Sequence, residues 1–201
     1  MDAAKKPAAA LTRLAATLGI AVAALAAYAW PRLADVWIYE RPAILAGQVW
    51  RLWTGHLVHY SASHLLLDLA VFVAAGGWLE WILPRPARWF YLLAPPAISA
   101  ALLVAEPALT RYAGLSGVAT GVLVLLALVQ WRRDAAAPAW FWPAVLALVA
   151  VKVAVEARGP TPLFARFDPD IRVVPLAHLG GIACAVIAYV ALRWSGRRRP
   201  A

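Results

Sequence analysis

The chain has 201 residues, 64% hydrophobic and only 14% charged, whereas a soluble domain carries about 25% charged residues. Its formal charge of +9 gathers beside long apolar runs, not along one polar face, which argues against a nucleic-acid-binding protein. Composition thus excludes a water-soluble fold and leads us to expect an all-α integral membrane protein, a single domain over 1–201 with short tails at about 1–10 and 195–201.

A spanning helix needs roughly 17–25 mostly apolar residues. Six such windows are predicted, at about 11–30, 65–83, 89–105, 115–131, 139–155 and 174–194. Lys5, Lys6 and Arg13 lead into the first, as in a secretory signal, but the run is about a full span and Trp30-Pro31-Arg32 offers no small-residue cleavage site. The second opens at His64 and carries Asp68 and Glu80; His56 and His59 precede it in a loop, where we expect them to meet water or backbone. The third follows Arg85 and Arg88, either of which is placed to pair with Glu80. Near the start of the fourth is Gly114-Leu115-Ser116-Gly117. Lys152 and Glu156 close the fifth at i,i+4 spacing and are expected to pair. The sixth holds His178 a turn from its start, and the single cysteine, Cys184, rules out an internal disulfide.

Six spans put eleven bases (Lys5, Lys6, Arg13, Arg85, Arg88, Arg132, Arg133, Arg193, Arg197, Arg198 and Arg199) on one side, with only Asp2 and Asp134. The other side has seven bases, nearly cancelled by six acids, among them Arg166, Asp168, Asp170 and Arg172 in the last long loop. The excess of bases marks the cytoplasmic side, so both termini are expected there in a bacterial-type inner membrane. Trp50, Trp53, Trp89, Trp131, Trp140, Trp142 and Trp194 fall near predicted span ends, where amphipathic rings favour the interface.

Ionisable groups inside a span cost at least about 2.5–3.5 kcal/mol on insertion scales, so each asks for a reason. With the N-terminus inside, the second, fourth and sixth spans run in one direction. His64, Ser116 and His178 then lie at similar depth near the outer surface, and Asp68, four residues after His64, shares its helix face. Glycines around Ser116 allow close approach of backbone N–H groups, and a helix N-terminus favours developing negative charge. His178 has the chemistry to accept a hydroxyl proton. Small residues at 117, 121, 181 and 185 equally suit plain helix packing.

These segments together resemble the rhomboid family of intramembrane serine proteases over roughly residues 46–194. The resemblance is carried by Trp50-Arg51-Leu52-Trp53-Thr54, by His64-Leu65-Leu66-Leu67-Asp68, by Gly76-Gly77-Trp78-Leu79-Glu80, by Gly114-Leu115-Ser116-Gly117 and by Ala177-His178-x-x-Gly181. Thr54-Gly55-His56-Leu57-Val58-His59, Ser63-His64, and Lys152 to Glu156 leading into Gly159-Pro160 are most similar to the rhombosortase branch. The resemblance implies a six-helix bundle in which Ser116 is the nucleophile and His178 the base, a dyad with no carboxylate member. His64, Asp68, Gly114 and Leu115 would form the oxyanion and substrate-binding site. It implies no cofactor and no metal, and no His-Glu-x-x-His motif is present. The implied partners are the lipid bilayer and transmembrane substrates, including exported proteins whose C-terminal tail is a Gly-Gly motif, one helix and a basic cluster. Asp68 stands where the family pattern has Asn, and Thr120 where an aromatic or histidine is usual. An ionised carboxylate there would repel an oxyanion, which opens the alternative of an inactive rhomboid-like protein that binds transmembrane clients.

Overall fold

The structure, a computed structural model, describes residues 12–159 and 173–197. The tail at 1–10, residues 198–201, Pro160 and the loop charges Arg166, Asp168, Asp170 and Arg172 lie outside the described residues. All six apolar windows hold helices: α1 (Ala15–Ala29), α2 (Ala62–Ile82), α3 (Pro84–Ala105), α4 (Ser116–Gln130), α5 (Phe141–Glu156) and α6 (Pro175–Arg197). Length separates them. Among the described residues α2, α3 and α6 are long and apolar enough to cross a membrane, and α1 reaches that standard only with Pro31–Trp37, from which it is bent by 114°. The expected six spans are therefore not all supported by helix length. With 15 residues α4 extends ~22 Å at ~1.5 Å per residue, short of a ~30 Å hydrocarbon core.

Its burial explains how so short an apolar helix is accommodated. Nearly every residue from Gly117 to Gln130 is buried, as expected of a helix that is apolar on all sides. Around it pack α6, α2, α5 and α3. Small residues set the closest of these approaches. A Cβ on Gly121 would lie 2.5 Å from the Gly181 carbonyl oxygen, and one on Gly117 would lie 2.8 Å from that of Ala177. So α4 and α6 meet backbone to backbone, and that contact fixes the register between Ser116 and His178.

The loop before α2 is anchored by hydrogen bonds that its sequence motifs supply. Tyr39–Glu40 (β1) pairs antiparallel with Arg111–Tyr112 (β2), Tyr39 opposite Tyr112. Arg51 donates to the carbonyls of Asp35 and Ile38 at the end of the Pro31–Trp37 helix, where backbone acceptors lack helical partners. In α3, Pro96 has no N–H for the Leu92 carbonyl, and the Trp53 indole donates to it instead at 2.9 Å. His56 bonds the Pro95 carbonyl and Ser99 Oγ, both at 3.0 Å.

Far from that loop, Glu80 pairs with Arg88 rather than Arg85 and also accepts from Thr17 and Ala16. That ties α1 to α2 and α3. Next to it α2 contains a π-helical turn, Phe72–Gly76, whose Gly76 carbonyl accepts from the Tyr91 hydroxyl at 2.7 Å. Leu83, Val129, Arg132, Arg133 and Arg193 line one cavity, so α2, α4 and α6 end at a common, basic level. Among the expected interfacial tryptophans, Trp142 is buried and donates to Asp134.

Candidate active site

Three helix starts converge at the end opposite the arginines. Ser61 caps α2 by accepting the His64 N–H, which holds His64 in the first turn. Ser116 is the first residue of α4, after Leu115 at the N-cap. Gly114 has φ +126°, and a Cβ there would lie 2.7 Å from His64 Nε2. This position therefore needs glycine both for its backbone angle and for space. The Tyr112 hydroxyl holds the turn by donating to the Gly114 carbonyl at 3.1 Å.

His178 lies a turn into α6, buried, with Nε2 3.0 Å from Ser116 Oγ. A nucleophile and a base are thus within hydrogen-bond reach at a helix N-terminus. On the other side of the ring, Glu156 Oε2 lies 3.0 Å from His178 Nδ1. The oxygen is off the ring N–H direction, so the contact is an ion-pair approach and not an aligned hydrogen bond. Lys152 Nζ in turn lies 2.8 Å from Glu156 Oε1 and 2.9 Å from Oε2. The expected Lys152–Glu156 pair is present, and it brings beside His178 a carboxylate that the reading of a Ser-His dyad did not include. Spacing along one chain gives no register between α5 and α6, so this contact had no signal in the sequence.

A second cluster sits against Gly114. Asp68 Oδ2 is 3.2 Å from His59 Nε2 and 3.3 Å from His64 Nε2. His59, expected to meet water or backbone, is buried and reaches this carboxylate, while its Nδ1 lies 3.1 Å from the Leu57 carbonyl. That carbonyl can only accept, so Nδ1 carries a hydrogen. Nε2 faces the Asp68 carboxylate and forms an ion pair with it whenever the ring carries a second hydrogen. Leu115 N–H also points at His59 Nε2, at a long 3.4 Å. His59 Nε2, His64 Nε2 and an Asp68 oxygen lie within 4.8 Å of one another. Two imidazoles and a carboxylate form a donor set able to hold a divalent cation such as zinc.

A family model of the Rhomboid domain matches residues 46–195. The chain belongs to the rhomboid family. Rhomboid proteins are intramembrane serine proteases that act on transmembrane substrates within the bilayer, and this chain is accordingly a multi-pass membrane protein. The comparison with curated proteins finds no match. The rhomboid match takes in both clusters and leaves α1 outside it.

Two loop residues around the rhomboid site have shifted acid–base behaviour. Burial, reinforced by the Asp68 charge, pushes the Tyr112 phenol far above its ordinary range. Burial lowers His56 to about 4, although the Pro95 carbonyl works the other way. Both are neutral at physiological pH. Tyr112 was not singled out in the sequence as a site residue, and His59 stood out only as one of three histidines, with His56 and His64, within one short stretch.

Proposed function

We propose that this rhomboid protein is a serine endopeptidase in which Ser116 attacks the scissile carbonyl and His178 Nε2 takes its proton. The Oγ–C bond forms as the carbonyl becomes an oxyanion; His178 then returns the proton to the departing amine as the C–N bond breaks. Water repeats the sequence to release the acyl group. The observation carrying this reading is the 3.0 Å approach of Ser116 Oγ to His178 Nε2. The Leu115 N–H, held only by the long bond to His59, and the side chains of His64 and Asp68 are read as the oxyanion site. Gly114 gives them access. His59 and His64 flank the Asp68 carboxylate with their ring nitrogens, which moderates the charge it presents to the oxyanion.

We further read the chain as a rhombosortase-like six-span protein of a bacterial inner membrane, both termini cytoplasmic, that removes the C-terminal membrane anchor of exported proteins. The common level of Arg132, Arg133 and Arg193, away from the site, supports that orientation. Co-expression with an exported protein bearing a Gly-Gly, helix and basic-cluster tail, followed by mass measurement of its C-terminus, tests the reading. Wild type should shorten the client and Ser116→Ala should not; identical clients in both would overturn it. Asp68 favours a second reading, an inactive client-binding protein, which predicts client capture with no cleavage by either form.

A further inference from the structure

The geometry points to Glu156 as a positioning residue for His178, extending the Ser116–His178 pair to a Ser-His-Glu set; this rests on the protease reading above. His178 Nδ1 and Glu156 Oε2 are 3.0 Å apart, and both side chains are 4% exposed. A bare Nδ1 would set its lone pair against the carboxylate, so the ring hydrogen belongs on Nδ1. Nε2 is then bare toward Ser116 Oγ, the tautomer that a general base requires. The carboxylate lies off the N–H axis here; catalytic hydrogen bonds in unliganded sites are often poorly aligned and tighten with substrate.

Lys152 gives the arrangement its rigidity. One helical turn before Glu156, it contacts both carboxylate oxygens, at 2.8 and 2.9 Å. It thereby holds the acid at His178 and offsets the charge of a buried anion that would otherwise be costly. When the Ser116 proton reaches Nε2, an imidazolium forms beside Glu156. That attraction is stronger in the transition state than in the resting state, which is the condition for acceleration. Among the described residues the charged and titratable groups facing His178 are Glu156 from α5 and, through it, Lys152; Ser116 faces it from α4. A Glu156–His178 contact that merely joined α5 to α6 would affect stability and leave the His178 tautomer and pH response alone.

The full chain in lipid bilayers, reacted with a fluorophosphonate that labels an activated serine by displacing fluoride, separates the two. Wild type, Ser116→Ala, Glu156→Gln, Glu156→Asp and Glu156→Gln/Lys152→Met are labelled across pH 5 to 9, with thermal unfolding measured for each. Glu156→Gln should label about 10²-fold slower or less, and the acid limb of its profile should move to lower pH, because losing the anion weakens imidazolium formation. Glu156→Asp should recover part of the rate. The double variant removes both charges, so it should fold and remain as slow as Glu156→Gln. In addition, ¹⁵N shifts of His178 in the Ser116→Ala protein should place the neutral-ring hydrogen on Nδ1. Labelling of Glu156→Gln or the double variant within threefold of wild type, with the limb unmoved, overturns the inference, as does a hydrogen found on Nε2. No labelling of wild type overturns the protease reading itself, and this inference with it.

Discussion

Glu80 and Asp68 are both buried acids on α2, and their surroundings differ. Glu80, fully buried, accepts short bonds from groups that carry hydrogens at every ordinary pH: the Thr17 hydroxyl at 2.8 Å, the Thr17 N–H at 2.9 Å and Arg88 Nε at 2.8 Å. Asp68 has two histidine nitrogens at the longer distances of 3.2 and 3.3 Å, on rings that can turn toward another partner. An anion held by permanent donors braces a fold, whereas one held by long contacts to imidazoles suits a site where charge must change during reaction.

Breaking the two ends should therefore give opposite patterns. The largest effect belongs to the site end: Ser116→Ala, His178→Ala and the double variant should each lose cleavage by a similar factor, on the order of 10³ to 10⁶, with unfolding temperatures near wild type. Additive losses, or failure of Ser116→Ala to accumulate, would make Ser116 a packing residue. At the other end, Glu80→Ala should destabilise by about 1–3 kcal/mol, because the buried Thr17 donors lose their acceptor while half-exposed Arg88 turns to water. The folded fraction should still label at the wild-type rate; a rate loss without a stability loss would erase the distinction drawn here.

Asp68 sharpens the comparison. Asp68→Asn should retain activity, and Asp68→Ala should lose ~10²–10³ in rate, with little change in stability. Equal activity of all three at every pH would place residue 68 outside the reaction. The smallest effect concerns His56, buried and neutral against α3. Its folded pKa of about 4 lies below the ordinary ~6.5, so between those values the unfolded chain binds more protons. Stability conferred by His56 is then complete above about pH 6.5 and declines toward pH 4, by about 3 kcal/mol in all. Unfolding measurements on wild type and His56→Gln should show the wild type alone with this acid-side slope.

Much of this organisation was legible because hydrophobic runs and small-residue spacings are local properties. Every apolar window holds a helix, and α4 was placed within a residue of its observed ends. Ser116, Gly114 and His178 stood out because polar or flexible residues in apolar surroundings are costly unless used. Helix direction was less legible: after Ala29 the chain bends by 114° into Pro31–Trp37, and a run of apolar residues does not show where a helix turns. His59 was expected to meet water or backbone, and its Nδ1 does meet the Leu57 carbonyl; its contact with Asp68 was not legible, because a loop has no periodicity from which to infer burial.

By itself, the sequence determined the solvent of this protein, its helical class, its rhomboid motifs and the separation of a basic end from a histidine-bearing end, since each follows from composition or from spacing within one segment. Only the tertiary structure decided which groups from different segments meet: His59 with Asp68, Arg88 rather than Arg85 with Glu80, and Glu156 with His178. Those meetings depend on the rotation and register of whole helices. Register is set by backbone contacts such as Gly117 and Gly121 against Ala177 and Gly181, where a single added Cβ would push α4 and α6 apart and carry Ser116 away from His178.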